Sequence, residues 1–332
     1  MFKFPLIAIM TTVALTSCAV TSEHQSASKN QQTTQTIQTP AATIVASATQ
    51  SIQKYSLYDN DIAGSIYSAK VETNVSKSDT DEFIIDITTP ELTAYFPKEK
   101  NVQNSAVIIC PGGAYYGLSM IKEGEDIARR FNQLGITAFV LKYRMPSTET
   151  MTDKSTGPLQ DVQQAFAFVR QHSNQWQLAE DKIGVMGFSA GGHLASSAAV
   201  HFNQPVLAEN TPEMIKPNFQ ILVYPVISMA DSITHKGSRT NLLGENYSAA
   251  QLTYYSNETQ VSTDSPKAFI VHANDDKAVP VENSLHYYQA LNQQHVATQL
   301  LLLPSGGHGF GMRHPFDWFN SLTMWLENNQ LL

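Results

Sequence analysis

The sequence predicts an α/β fold: a mostly parallel central sheet with helices on both faces and a small polar insertion above the carboxyl ends of its strands. Three observations lead there. From about Tyr55 onward, short apolar runs rich in Val, Ile, Leu and Phe alternate with segments of helical period. Gly135 closes one helical segment and Gly157-Pro158 opens another, the expected asymmetry of helix ends. A chain of 332 residues with 42% apolar content is large enough to bury a core of its own.

The elements follow in order. Phe83 to Thr88 and Leu92 to Phe96 read as strands joined by a hairpin turn at Thr89-Pro90-Glu91. Ala106 to Cys110 is a strand, Ile121 to Leu134 a helix, Thr137 to Tyr143 a strand and Leu159 to His172 a helix. Ile183 to Met186 is a short strand that runs into Gly187-Phe188-Ser189-Ala190-Gly191-Gly192 and then an Ala-rich helix ending near Phe202. Strands are predicted at Phe219 to Val226, Ala268 to His272 and Thr298 to Leu303, and helices at Glu282 to Gln293 and Phe316 to Asn328. Between Ser228 and Pro266 lies a polar insertion without strong periodicity, placed to roof a site at the strand ends.

The N-terminus reads differently. Lys3, an apolar run from Phe4 to Leu15 and then Leu15-Thr16-Ser17-Cys18 resemble a bacterial lipoprotein signal. Residues 1–17 are therefore expected to be cleaved, with Cys18 lipidated as a membrane anchor. The Ser, Thr, Gln and Ala of residues 18–54 read as a flexible tether, with a reach of roughly 30 Å as a random coil. Residues 55–332 form the folded domain. Ala19 is unlike an inner-membrane retention signal, so the expected address is the bacterial cell envelope, at the outer membrane.

A formal charge of −8 leaves no broad basic surface, which excludes nucleic acid as a partner. With Cys18 lipidated, Cys110 has no partner for an intrachain disulfide and is expected to be a small buried thiol. No histidine cluster or Cys/His spacing suggests a metal, and no cofactor is expected.

Gly187-Phe188-Ser189-Ala190-Gly191 matches G-x-S-x-G in the context that motif requires, a strand, a tight turn and a helix. Ser189 is the candidate nucleophile. A serine hydroxyl needs a base to take its proton and a third group to hold that base. Two later strands are each followed by such a group: Asp275-Asp276 after one, and His308 among glycines after the other. Asp276 is favoured as the acid by its D-x-x-V-P setting, while Asp275 stays open as the alternative. Candidate oxyanion donors are the amide of Ala190 and those of Gly113 and Ala114 in Pro111-Gly112-Gly113-Ala114-Tyr115-Tyr116. Tyr115, Tyr116 and Phe310, with Met312, are candidates either for an acyl or sugar pocket or for the core. His193, His272 and His286 are read as structural, Glu123 as a partner of Arg144, and Asp161 as a helix cap or ion-pair partner.

The segments P-G-G-A-Y-Y, K-E-G-E, L-K-Y-R, L-Q-D-V, G-F-S-A-G-G-H-L, Y-P-V-I, D-D-K-A-V-P-V-E-N-S and G-G-H-G-F-G span most of Ser105 to Phe310. Together they resemble the acetylxylan-esterase and feruloyl-esterase-like branch of the α/β-hydrolases. That resemblance implies an α/β-hydrolase fold and a serine esterase that removes short acyl groups, acetyl first and feruloyl as the alternative, from acylated carbohydrate. A peptidase like the prolyl oligopeptidases would call for a large N-terminal propeller, which the tether before Tyr55 does not supply. A glycan-binding lipoprotein on a dead hydrolase scaffold is the non-enzymatic alternative, and the intact Ser189, acid and His308 argue against it.

Overall fold

A computed structural model describes residues 51–332, Asn60 and Asp79 excepted. The signal, Cys18 and the tether up to residue 50 lie outside the described residues. In chain order the strands are β1 (Ser51–Ser56), β2 (Thr73–Asn74), β3 (Phe83–Ile85), β4 (Glu91–Phe96), β5 (Ala106–Cys110), β6 (Gly117–Ser119), β7 (Thr137–Lys142), β8 (Ile183–Phe188), β9 (Phe219–Val223), β10 (Lys267–Ala273) and β11 (Thr298–Leu303). The helices are α1 (Asp126–Gln133), α2 (Gly157–Gln171), α3 (Ser173–Trp176), α4 (Ser189–Val200), α5 (Pro212–Ile215), α6 (Lys236–Leu243), α7 (Ala249–Tyr255), α8 (Glu282–Gln293) and α9 (Trp318–Asn328).

The main sheet has the order β1-β4-β7-β5-β8-β9-β10-β11. It is parallel from β7 to β11, with β1 and β4 antiparallel at one side. Alternation along β5 divides its side chains between two cores. Ala106, Ile108 and Cys110 face the layer of α2, α4 and α8, and Val107 and Ile109 face that of α1 and α9. The fully buried strands β5 and β8 run side by side with Cys110 opposite Gly187, which sets their following loops next to each other. The chain passes from β5 to β7 on one side and returns to β8 on the other, the reversal at which open α/β sheets form their crevice.

Two expectations about the strands are corrected, and the insertion gains detail. The tether was expected to reach residue 54, but Ser51–Ser56 is the edge strand β1, paired with β4 from Ser51↔Phe96 to Ser56↔Glu91. A polar strand can occupy an edge because the backbone ladder holds it without side-chain burial. The predicted hairpin is absent: β3 pairs with β2 and β6 in a separate three-stranded sheet, while β4 joins the main one. Asp86, with φ of 56°, ends β3 in a left-handed turn that sends the chain elsewhere. The insertion contains helices α6 and α7, too short to give a strong period. Their ends are secured by the His235 ring accepting from the Ser238 amide and by a Ser248/Gln251 capping box.

Arg144 does not pair with Glu123. Its guanidinium lies 2.8 Å from Asp161 Oδ1, and its amide donates to Oδ2 at 2.9 Å, with Arg144 1% and Asp161 0% exposed. The Tyr58 hydroxyl adds a bond to the same carboxylate at 2.9 Å. This pair ties the end of β7 to α2. Removing one partner of a buried pair strands the other's charge, so Asp161→Ala should destabilise the domain by about 3–5 kcal/mol in urea unfolding. A loss below about 1 kcal/mol would mean that the guanidinium finds water or another anion.

Candidate active site

The site is built where β8 turns into α4. Ser189 sits at that turn with φ of 51°, a left-handed conformation that only close packing on both sides holds. Gly187 and Gly191 make the turn possible. A Cβ on Gly187 would lie 2.0 Å from the Gly191 carbonyl oxygen, and one on Gly191 would lie 2.1 Å from that of Cys110. Strand, helix and the end of β5 therefore approach closely enough to lift the Ser189 hydroxyl into a cleft.

The register of β10 against β11, Ala273↔Leu303, puts the two remaining loops side by side. His308 Nε2 lies 2.8 Å from Ser189 Oγ, and His308 Nδ1 lies 2.6 Å from Asp276 Oδ2. Facing a carboxylate, Nδ1 carries the ring proton, and Nε2 presents its lone pair to the serine hydroxyl. Asp276 is buried, which by itself raises its pKa. Hydrogen bonds from His272 and His308, the charge of His308 and the Val279 amide outweigh burial and hold the carboxyl well below the usual range. Asp276 Oδ1 accepts from the amides of Ala278 and Val279, both at 2.9 Å. Asp275 is exposed and accepts from the Gly307 amide at 2.8 Å, which shapes the His308 loop and leaves the ring untouched.

The cleft, about 420 Å³, is lined by Ser189, His308, Gly113, Ala114, Tyr116 and His235 among others. The amides of Gly113 and Ala114 have no protein partner among the described residues, and Ala190 is in the first turn of α4, where amides lack intrahelical acceptors. The sequence names these three as candidate oxyanion donors: Gly113 and Ala114 line the cleft with Ser189, and Ala190 follows it in the chain. Of the candidate pocket residues, only Tyr116 is in the cleft lining. Tyr115 is buried with its hydroxyl 2.8 Å from His193 Nδ1, and Phe310 is buried with its ring edge-on to Tyr224 at 4.6 Å. Both belong to the core beneath the cleft.

Sequence reasoning missed several groups. His272, read as structural, holds the acid: its Nε2 reaches Asp276 Oδ2 and the Val279 carbonyl, both at 3.1 Å, and both are acceptors, so that nitrogen carries its proton. Glu123 and Tyr224 join the two loops of the site. Glu123 accepts from the Gly112 amide and from the Tyr224 hydroxyl, each at 2.8 Å, and Tyr224 accepts from the Gly311 amide at 3.0 Å. Burial raises the Glu123 carboxyl, with the Tyr224 and Gly112 bonds and the His308 charge working against it. The Tyr224 ring also packs on that of His308, 4.9 Å between centroids. From the insertion, the His235 ring accepts from the Ser238 amide through Nδ1, which leaves its neutral form with a donor at Nε2. Burial and the neighbouring His308 lower the His235 pKa. Asn241 donates to the Ala114 carbonyl at 2.8 Å and so braces the oxyanion loop. Tyr224, Glu123 and, within Gly237 to Gly244, Asn241 lay in segments that resemble the family; His235 carried no local signal.

His193, under the turn, donates from Nε2 to the Tyr255 carbonyl at 2.8 Å, and burial lowers its pKa to about 4. Among the described residues, no group of three or more His, Cys, Asp or Glu could hold a metal ion.

The chain is similar to several known proteins. The BD-FAE family model matches residues 92–291. Over 242 residues the chain is 37% identical to an acetylxylan esterase of Xylanibacter ruminicola, covering 72% of this chain and 47% of the relative. It is 36% identical over 224 residues to endo-1,4-beta-xylanase B of Butyrivibrio fibrisolvens, covering 66% and 34% respectively. The chain thus spans half or less of the length of these curated relatives. An acetyl ester-xyloside bifunctional hydrolase from Caldicellulosiruptor lactoaceticus has a similar structure, with a TM-score of 0.71 and 31% identity over 84% of this chain and 97% of that one. A sugar hydrolase from Lactococcus lactis aligns with a TM-score of 0.58 and 26% identity over 79% and 100%.

The two aspartates can be separated by the rate at which a fluorophosphonate labels Ser189. Asp276→Asn should slow labelling by roughly a hundredfold or more, since it disturbs the His308 tautomer, while Asp275→Asn should stay within about fivefold of wild type. The opposite ranking would transfer the acid's role to Asp275.

Proposed function

The chain belongs to the BD-FAE family of α/β-hydrolases, and from that membership we propose that it is a serine esterase removing short acyl groups, acetyl foremost, from carbohydrate. The observation that carries this reading is the relay from Asp276 through His308 to Ser189, with bonds of 2.6 and 2.8 Å. Ser189 Oγ attacks the ester carbonyl carbon while His308 Nε2 takes its proton. The carbonyl oxygen gains negative charge and is held by the amides of Ala190, Gly113 and Ala114. His308 then gives the proton to the departing sugar oxygen, leaving an acyl-serine. Water attacks that acyl group, again losing a proton to His308, and the carboxylic acid leaves as the proton returns to Ser189. Asp276 stays ionised throughout and stabilises the imidazolium.

Ser189→Ala and His308→Ala should each reduce turnover by about a thousandfold or more with unchanged unfolding midpoints. In a chain-length series of aryl esters, activity should peak at two to four carbons. Acetate should be released from an acetylated oligosaccharide and no amine from an anilide. Best activity at eight or more carbons, or anilide cleavage without acetate release, would point to a lipase or a peptidase.

We also propose that the protein is lipid-anchored at Cys18 in the bacterial outer membrane. The support is the apolar run ending in Leu15-Thr16-Ser17-Cys18 and the polar segment after it. An alkyne fatty acid fed to cells should label the wild type and not Cys18→Ser. An unlabelled wild type would remove the anchor.

A further inference from the structure

Beside the cleft that holds Ser189 lies a second cavity of about 480 Å³, and the two share Asp81, Phe83, Tyr116 and Lys122. They are one groove. Its outer part is closed by Lys77 and Ser78, from the turn between β2 and β3. Here the diverted N-terminal segment has its effect, because the small sheet β2-β3-β6 docks that turn onto the oxyanion loop.

The groove is preorganised. Phe83 leans on the loop where side chains are missing: a Cβ on Gly117 would lie 2.7 Å from its ring and one on Gly113 would lie 3.1 Å away. Asp81 pins the turn by accepting from Ser119 Oγ at 2.6 Å and from the Lys122 amide at 3.1 Å. Arg313 holds its other side through the Thr80 carbonyl at 3.0 Å. At the tip of the β6 loop, Tyr116 is 58% exposed although its amide is fixed to the Gly113 carbonyl at 2.9 Å. Its ring makes no aromatic contact among the described residues.

We propose that this outer cavity binds the glycan that carries the acyl group, with Tyr116 as the face on which a neighbouring sugar ring stacks and Lys77 and Lys122 as donors to its hydroxyls. An exposed aromatic face flanked by ammonium groups and hydroxyls matches a sugar, which has C–H faces and hydroxyl edges. An acyl chain would bury the Lys77 ammonium without an acceptor, while the Lys122 ammonium lies 3.8 Å from Asp81 Oδ2. The direction of the substrate, acyl carbon at Ser189 and sugars towards the small sheet, rests on the esterase reading; the binding does not. Residues 73–85 precede the segment 92–291 that the family model matches, so this wall lies outside the matched segment.

Calorimetric titration with unacylated xylo-, manno- and cello-tetraose tests the groove apart from catalysis. The wild type should bind at least one of them, and bind it more tightly than the monosaccharide. For that ligand Tyr116→Ala should weaken binding by about tenfold, Tyr116→Trp should restore it, and Lys77→Ala should weaken it by about threefold. No binding of any tetraose, or equal affinity in Tyr116→Ala, would overturn the proposal. A wild type that binds a tetraose but releases no acyl group would instead sink the esterase reading and leave the groove in place.

Discussion

The close approach of helix α4 to strand β8 is the constraint on which the rest of this structure depends. With 2.0 Å between a hypothetical Gly187 Cβ and the Gly191 carbonyl, no side chain fits at that position without moving strand or helix. The approach holds Ser189 in its left-handed conformation and aims the start of α4 at the cleft. The same contact fixes where β5 must end, because Gly191 also packs against the Cys110 and Pro111 carbonyls. Ser189 and the loop after β5 are thus placed by one packing event.

Around this turn, buried polar groups are joined in chains that are fully paired, which is how a protein interior tolerates them. One chain runs from Ser284 through His272 to Asp276, His308 and Ser189. Another runs from Gly112 through Glu123 and Tyr224 to Gly311. The second joins the oxyanion loop after β5 to the histidine loop after β11, strands separated in the sheet by β8, β9 and β10. A rigid link of this kind fixes the distance between His308 and the loop after β5.

Periphery and centre divide the work. The small sheet β2-β3-β6 and the insertion carrying His235 and Asn241 lie around the cleft and contribute nothing to the relay itself. Phe83, Ser119 and His235 from these elements line the cleft with Ser189. Variation there can change the substrate while the elbow, the acid loop and the histidine loop remain the same.

The alternating pattern, the G-x-S-x-G elbow and the order of Ser189, the Asp275-Asp276 pair and His308 were legible in the sequence because each depends on local chemistry: strand burial, glycine clearance, and loops at strand ends. Helix α8 is observed over Glu282–Gln293, the span its periodicity predicts. The partner of Arg144, the path of residues 73–85 and the roles of His272, Tyr224, His235 and Asn241 depended on contacts between distant segments. Glu123 and Arg144 are 21 positions apart and both buried, yet one meets Tyr224 and the other Asp161. A charge in a sequence names the kind of partner it needs. Only the folded sheet, by fixing strand order and register, decides which partner comes within 3 Å.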